Sequence, residues 1–136
     1  MTELELCRKA IEAKGKAYAP YSGFCVGAAL LTASGKVYTG CNIENATYTP
    51  TVCAERTAVF KAVSEGEREF RMLAVVGGLG SAISSATPPC GVCRQVLSEF
   101  CDADFPVLLV QSEDAYESVT LGDLLPYAFQ SDRLKD

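Results

Sequence analysis

The chain has 136 residues, 49% hydrophobic and 21% charged, a length and balance that fit one soluble domain, residues 1–136, with room for a real core. Its net charge of -5 argues against a nucleic-acid partner, whose phosphates call for a basic surface, and no apolar run approaches the roughly 20 residues of a membrane helix. With seven cysteines, no histidine and an acidic start lacking the basic-then-apolar order of a signal peptide, the chain reads as cytoplasmic, with thiols free or on a metal rather than paired.

Thr2-Glu3-Leu4-Glu5 has the spacing of a capping box, and Leu4, Cys7, Ile11 and Tyr18 recur at helical intervals, so a first helix is expected over about 3–17. Pro20 lies beyond it and makes further helix improbable. Val26–Thr32 reads as a buried strand, Ala33-Ser34-Gly35-Lys36 as a turn, and Val37–Asn42 as the second arm of a hairpin. Gly27, Ala28 and Ala29 are small enough to admit a closely packed neighbour, expected to be a helix. The polar stretch Asn42–Pro50 follows. It reads either as a solvated turn or as a grip on ligand hydroxyls, since Asn42 and Glu44 face the same way on extended chain.

A second helix is expected from Cys53 to about Glu65, with Gly66 just past its end. Met72–Val76 reads as a central strand and Gly77–Thr87 as a Gly/Ser/Ala-rich loop. Pro88-Pro89 leads into a helix over Cys90–Phe100, and Pro106–Val110 reads as a fourth strand. Thr120 to Asp123 can cap a short helix that Pro126 ends. This order predicts an α/β fold: a mixed sheet with helices on both faces. The helices starting at Cys53 and Cys90 flank the third strand in the chain and can share one face, starts side by side.

That placement would gather three sulfurs. Cys53, Cys90 and Cys93 suit three corners of a tetrahedral zinc site, with the fourth left to water, and Glu55 is the natural base beside that water. Three thiolates outweigh the charge of zinc, so positive partners are expected: the two helix N-termini, and Arg56 and Arg94 as hydrogen-bond donors to the sulfurs. The competing reading is a structural zinc closed by a fourth ligand, with Cys25, Cys41 or Cys101 available. Otherwise those three and Cys7 are expected as buried small hydrophobes. Zinc nucleobase deaminases share the pattern of Cys-x-Glu followed by Pro-Cys-x-x-Cys.

Taken nearly end to end, the chain resembles the cytidine deaminases of the small homotetrameric type. The matching pieces are Tyr18–Ser22 with Phe24, Val26–Leu30, Gly40–Ala46, Cys53–Arg56, Pro89–Gln95, and Leu124-Leu125-Pro126 with Phe129. The resemblance implies a three-layer α/β/α fold with a roughly five-stranded mixed sheet. It also implies one zinc per subunit on Cys53, Cys90 and Cys93, with Glu55 as proton shuttle, and deamination of cytidine and 2'-deoxycytidine in pyrimidine salvage. Asn42 and Glu44 would bind the ribose, Phe24 would pack on the nucleoside, and the Ala54 N–H would contact the base. Arg56 would lean on the sulfurs. Neighbouring subunits of a homotetramer would complete each site, with Phe129 from one and Ala46 and Tyr48 from another. Three rivals stand beside this reading: a deaminase of a nucleoside antibiotic such as blasticidin S, a zinc-stabilised binding module without chemistry, and an editor of polynucleotides, which the acidic balance disfavours. The Thr47–Val52 stretch follows the family pattern loosely, and the Gly77–Thr87 loop is long for it and has no assigned role.

Overall fold

In the computed structural model, which describes residues 1–135, three layers stack around one mixed sheet. The elements in order are α1 (Glu3–Lys14), β1 (Phe24–Thr32), β2 (Val37–Cys41), α2 (Ala54–Ser64), β3 (Phe70–Leu79), α3 (Gly91–Phe100), β4 (Pro106–Val110), β5 (Tyr116–Thr120) and α4 (Leu121–Leu124). A 3-10 turn over Ser131–Lys135 follows. The strand order is β2-β1-β3-β4-β5. Within this sheet β3 and β4 run parallel, joined through α3, and the other strand pairs are antiparallel.

The central strands read as unbroken apolar runs because both faces are covered. Alternate residues point to opposite sides. Ala28, Leu30, Leu73, Val75, Val107 and Leu109 enter one core together with Ala54, Ala58, Val59 and Leu97 of α2 and α3. Ala29, Leu31, Ala74, Val76, Leu108 and Val110 enter the other, against Leu6, Cys7 and Ala10 of α1. Each fully buried Leu or Val contributes about 1.5–3 kcal/mol of transfer free energy.

Two glycines set the helix distances. A Cβ on Gly27 would lie 2.1 Å from Ala10 O and 2.4 Å from Lys14 N, so α1 rests on β1 with backbone almost in contact. A Cβ on Gly40 would lie 2.4 Å from Ala54 O and 2.6 Å from Ala58 N, which seats the start of α2 on β2 in the same manner. The expectation that small residues at 27–29 admit a helix is met. The Thr120 capping box is present, with Asp123 as its other half.

Two expectations need correction, and one strand is an addition. α1 stops at Lys14, three residues early, and Gly15 is its C-cap. β3 continues to Leu79 because Phe24, Cys25 and Val26 pair with Leu79, Gly78 and Gly77, so the irregular loop is shorter than the composition suggested. β5 had no assignment from sequence: it is an edge strand whose Glu117 and Ser118 are exposed, and its alternation is weak.

Candidate active site

Cys53 and Cys90 are the N-caps of α2 and α3. Their backbones match, at φ -77° and ψ 156° for Cys53 and φ -66° and ψ 166° for Cys90, and neither side chain caps its own helix. The sulfurs are therefore free to meet. Cys53 Sγ lies 3.6 Å from Cys90 Sγ, and Cys90 Sγ lies 3.4 Å from Cys93 Sγ. All three fall within 4.8 Å of one another, and among the described residues no fourth histidine, cysteine or carboxylate joins them. The spacing suits three ligands around a single tetrahedral cation, and the sulfurs sit at the positive ends of α2 and α3, although no helix N–H bonds its own N-cap sulfur.

The electrostatics agree with a metal-binding set. Three neighbouring thiols cannot all ionise in the metal-free chain, so they share protons. Cys53 drops to about 5, because the neighbouring Cys93 thiol and the Arg56 guanidinium both favour its thiolate. Cys93 is pushed upward by the neighbouring Cys53 and by burial. Arg56 Nη2 donates to Cys53 Sγ at 3.3 Å. The expected counter-charge is therefore Arg56. Arg94 does not take this part: its Nε donates to Pro89 O at 2.6 Å and its Nη1 to Leu124 O at 2.6 Å, so it ties the residue before Cys90 to the end of α4.

Glu55, 4% exposed, is the second residue of α2. Burial, with a smaller push from the Cys53 charge, lifts its carboxyl to about 7. Its Oε1 and Arg56 Nε are buried yet find no hydrogen-bond partner. Buried polar atoms are nearly always paired, so the orphaned acceptor Glu55 Oε1, two residues from Cys53, points to a bound group that donates to it. Zinc fits the donor set: soft sulfur ligands, a carboxylate in reserve and a guanidinium on the sulfur side.

The remaining expected residues lie around this centre in different states of engagement. Asn42 is buried, and its amide bonds backbone at both atoms while keeping a second N–H: Val26 N donates to its Oδ1 at 2.9 Å and its Nδ2 donates to Phe24 O at 2.8 Å. Glu44 accepts from Tyr21 N at 3.0 Å, from Ser22 N at 3.1 Å and from the Ser22 hydroxyl, which holds its carboxyl below the usual range. Tyr21, Ser22, Glu44, Tyr48 and Thr51 line a depression of about 360 Å³. Tyr48 sits at φ 52° and meets Tyr21 edge to face, while Ala46 is exposed in the same turn. Ala54 opens α2, where a helix N–H has no intrahelical acceptor. Phe24 opens β1, half-buried. Phe129 is 59% exposed, and its carbonyl accepts from Gln95 Nε2 at 2.8 Å.

Sequence reading missed Thr57. Its hydroxyl reaches Cys41 O at 3.1 Å and Cys53 O at 3.2 Å, stitching the end of β2 to the start of α2. Its position four residues after Cys53 on the same helix face was the available signal. The other cysteines stay outside the metal cluster. Cys7 and Cys101 are buried as expected, whereas Cys25 and Cys41 are only half-buried.

The family model of the cytidine and deoxycytidylate deaminase zinc-binding region matches residues 1–109. This chain belongs to the cytidine deaminase family. A cytidine deaminase of Sporosarcina psychrophila is 49% identical over 130 residues, covering 96% of this chain and 93% of the relative. The solved cytidine deaminase of Burkholderia pseudomallei superposes with a TM-score of 0.87 at 47% identity, covering 95% of this chain and all of the other. A blasticidin-S deaminase of Bacillus cereus is similar at 30% identity over 108 residues, 76% of each chain. The deaminase family's zinc-binding region thus includes the stretch in which Cys53, Cys90 and Cys93 converge.

Proposed function

We propose that this chain catalyses the hydrolytic deamination of cytidine and 2'-deoxycytidine, giving the uridines and ammonia, as a cytoplasmic enzyme of pyrimidine salvage. The observation that carries the reading is the buried, partnerless Glu55 Oε1 beside three converged sulfurs. A closed structural zinc would need a fourth protein ligand, and among the described residues none joins the cluster. The antibiotic-deaminase reading is disfavoured by the greater identity and coverage of the cytidine deaminase relatives.

Cys53, Cys90 and Cys93 would hold the zinc, which when bound supplies the Lewis acidity that makes water a nucleophile near neutral pH. Glu55 takes the proton from the attacking water and passes it to the pyrimidine N3 as oxygen adds to C4. It then takes the remaining proton of the oxygen added at C4 and gives it to the departing amine, so that the C4–N bond breaks, the oxygen becomes the carbonyl and ammonia leaves. One carboxylate suffices because each proton it releases is replaced by the next. Ala54 offers its free N–H to the base, and Phe24 forms one wall of the site. Asn42 and Glu44 would bind the ribose hydroxyls with the second amide N–H of Asn42 and the remaining lone pairs of the Glu44 carboxylate. Because Asn42 also clamps the start of β1, it couples sugar recognition to the placement of Phe24. Arg56 restrains the charge of the sulfurs.

Four copies are proposed to assemble, with Phe129 of one and Ala46 and Tyr48 of another reaching a neighbour's site. Phe129 and Tyr48 are 59% and 69% exposed, as residues that reach a neighbour's site must be. The decisive test is turnover of cytidine, 2'-deoxycytidine and blasticidin S by the zinc-loaded protein, before and after a strong chelator. Turnover of both nucleosides that chelation abolishes is expected. Activity on the antibiotic alone, or none at all, would refute the reading.

A further inference from the structure

The segment between β3 and Cys90 has no part in the mechanism above, yet it is stitched down at several points. Ser84 N donates to Gly77 O at 2.8 Å, and Ser84 Oγ donates to the same carbonyl at 2.9 Å. Ser84 Oγ also lies 3.1 Å from Thr87 Oγ1. A serine hydroxyl has one proton, and here Gly77 O takes it, so Thr87 must be the donor to Ser84. At the far end of the segment, the buried Lys14 donates from Nζ to Gly80 O at 2.5 Å, and Gly80 N donates to Gly23 O at 3.2 Å, one residue before Phe24.

These bonds converge on one hollow. A Cβ on Gly77 would lie 2.6 Å from Thr87 Oγ1, 2.8 Å from Thr87 Cγ2 and 3.0 Å from Phe24 Cε2. The missing side chain therefore makes the space that Thr87 and the Phe24 ring fill together. Ser84 holds the Thr87 hydroxyl on one side, which fixes its rotamer and leaves the ring one place to lie.

We infer that Thr87, oriented by Ser84, is a positioning residue that holds the Phe24 ring ready for the nucleoside. This rests on the proposed role of Phe24 as a wall of the site. Without the Ser84–Thr87 bond the ring gains room, and binding must then order it. That raises KM while leaving the steps at C4 untouched.

The experiment compares the zinc-loaded wild type with Ser84→Ala, Thr87→Val, the double variant and Thr87→Ser, using cytidine kinetics, zinc content and the NMR shifts of the Phe24 ring protons. Ser84→Ala and Thr87→Val should each raise KM about fivefold with kcat within about twofold of wild type. The double variant should do no more than either single one, because both break the same link. Thr87→Ser keeps the bond to Ser84 but loses the Cγ2 that shares the hollow, so it should raise KM less than Thr87→Val does, and zinc content should stay constant throughout. An unchanged KM, or a fall in kcat with KM unaltered, overturns the inference. Absence of turnover in the wild type would instead strike the proposed function. The latch then still stands or falls on whether Ser84→Ala moves the Phe24 ring resonances, and unmoved resonances reject it.

Discussion

Glu55 and Arg56 stand next to each other at the start of α2, and each leaves one buried polar atom without a partner. Replacing Glu55 by Gln keeps the shape and removes the proton carrier. Turnover should fall by about 10³-fold or more while bound zinc and thermal stability stay near wild type; kcat that survives the change would end the shuttle assignment. Arg56→Gln should act through Cys53, which loses the guanidinium bond that favours its thiolate. Zinc should then be released to a chromogenic chelator more readily, with an affinity loss of about 10–100-fold. Equal release rates would show that the helix starts alone suffice. The same change at Arg94 should leave zinc affinity near wild type, because its bonds go to backbone carbonyls instead.

At the scale of elements, the two glycine seats separate stability from site geometry. Gly27 faces α1, on the side of the sheet away from the sulfurs, and Gly40 faces the start of α2. Gly27→Ala and Gly40→Ala should each destabilise by about 1–3 kcal/mol through overpacking, read from urea unfolding. Only Gly40→Ala should also weaken zinc binding, because the helix it displaces begins at Cys53. If both weaken zinc alike, the two layers are more tightly coupled than their separate cores indicate. The Cys53 and Cys90 helix starts, the hairpin and the central strands were all legible, because caps, turns and apolar runs are local patterns. The length of β3 was not: Gly77 and Gly78 have loop composition, and they are strand because Val26 and Cys25 lie opposite. β5 escaped for a related reason, since an edge strand with one wet face carries little apolar signal.

For the molecule as a whole, two buried thiols outside the cluster set an alkaline limit. Cys7 and Cys101 are pushed up to about 11 and about 12, chiefly by burial. The unfolded chain ionises them near pH 8.5, whereas the folded chain holds them neutral. Their contribution is therefore complete below about pH 8.5 and is lost as pH rises through the window up to those values. The urea midpoint of the zinc-loaded protein should fall between pH 8 and about 10.5, and a Cys7→Ala, Cys101→Ala double variant should fall less steeply; parallel slopes would exclude the two thiols. No helix among the described residues is long and apolar enough to cross a membrane. By itself the sequence determined the ligand trio, the carboxylate next to it and the helix starts that present them, since these depend on residue type and short spacing. Only the tertiary structure decided that Arg56 rather than Arg94 serves the sulfurs, that Asn42 clamps β1 and that Thr87 shares a hollow with Phe24. Those outcomes depend on which distant segments the sheet brings into contact, and no local pattern records that.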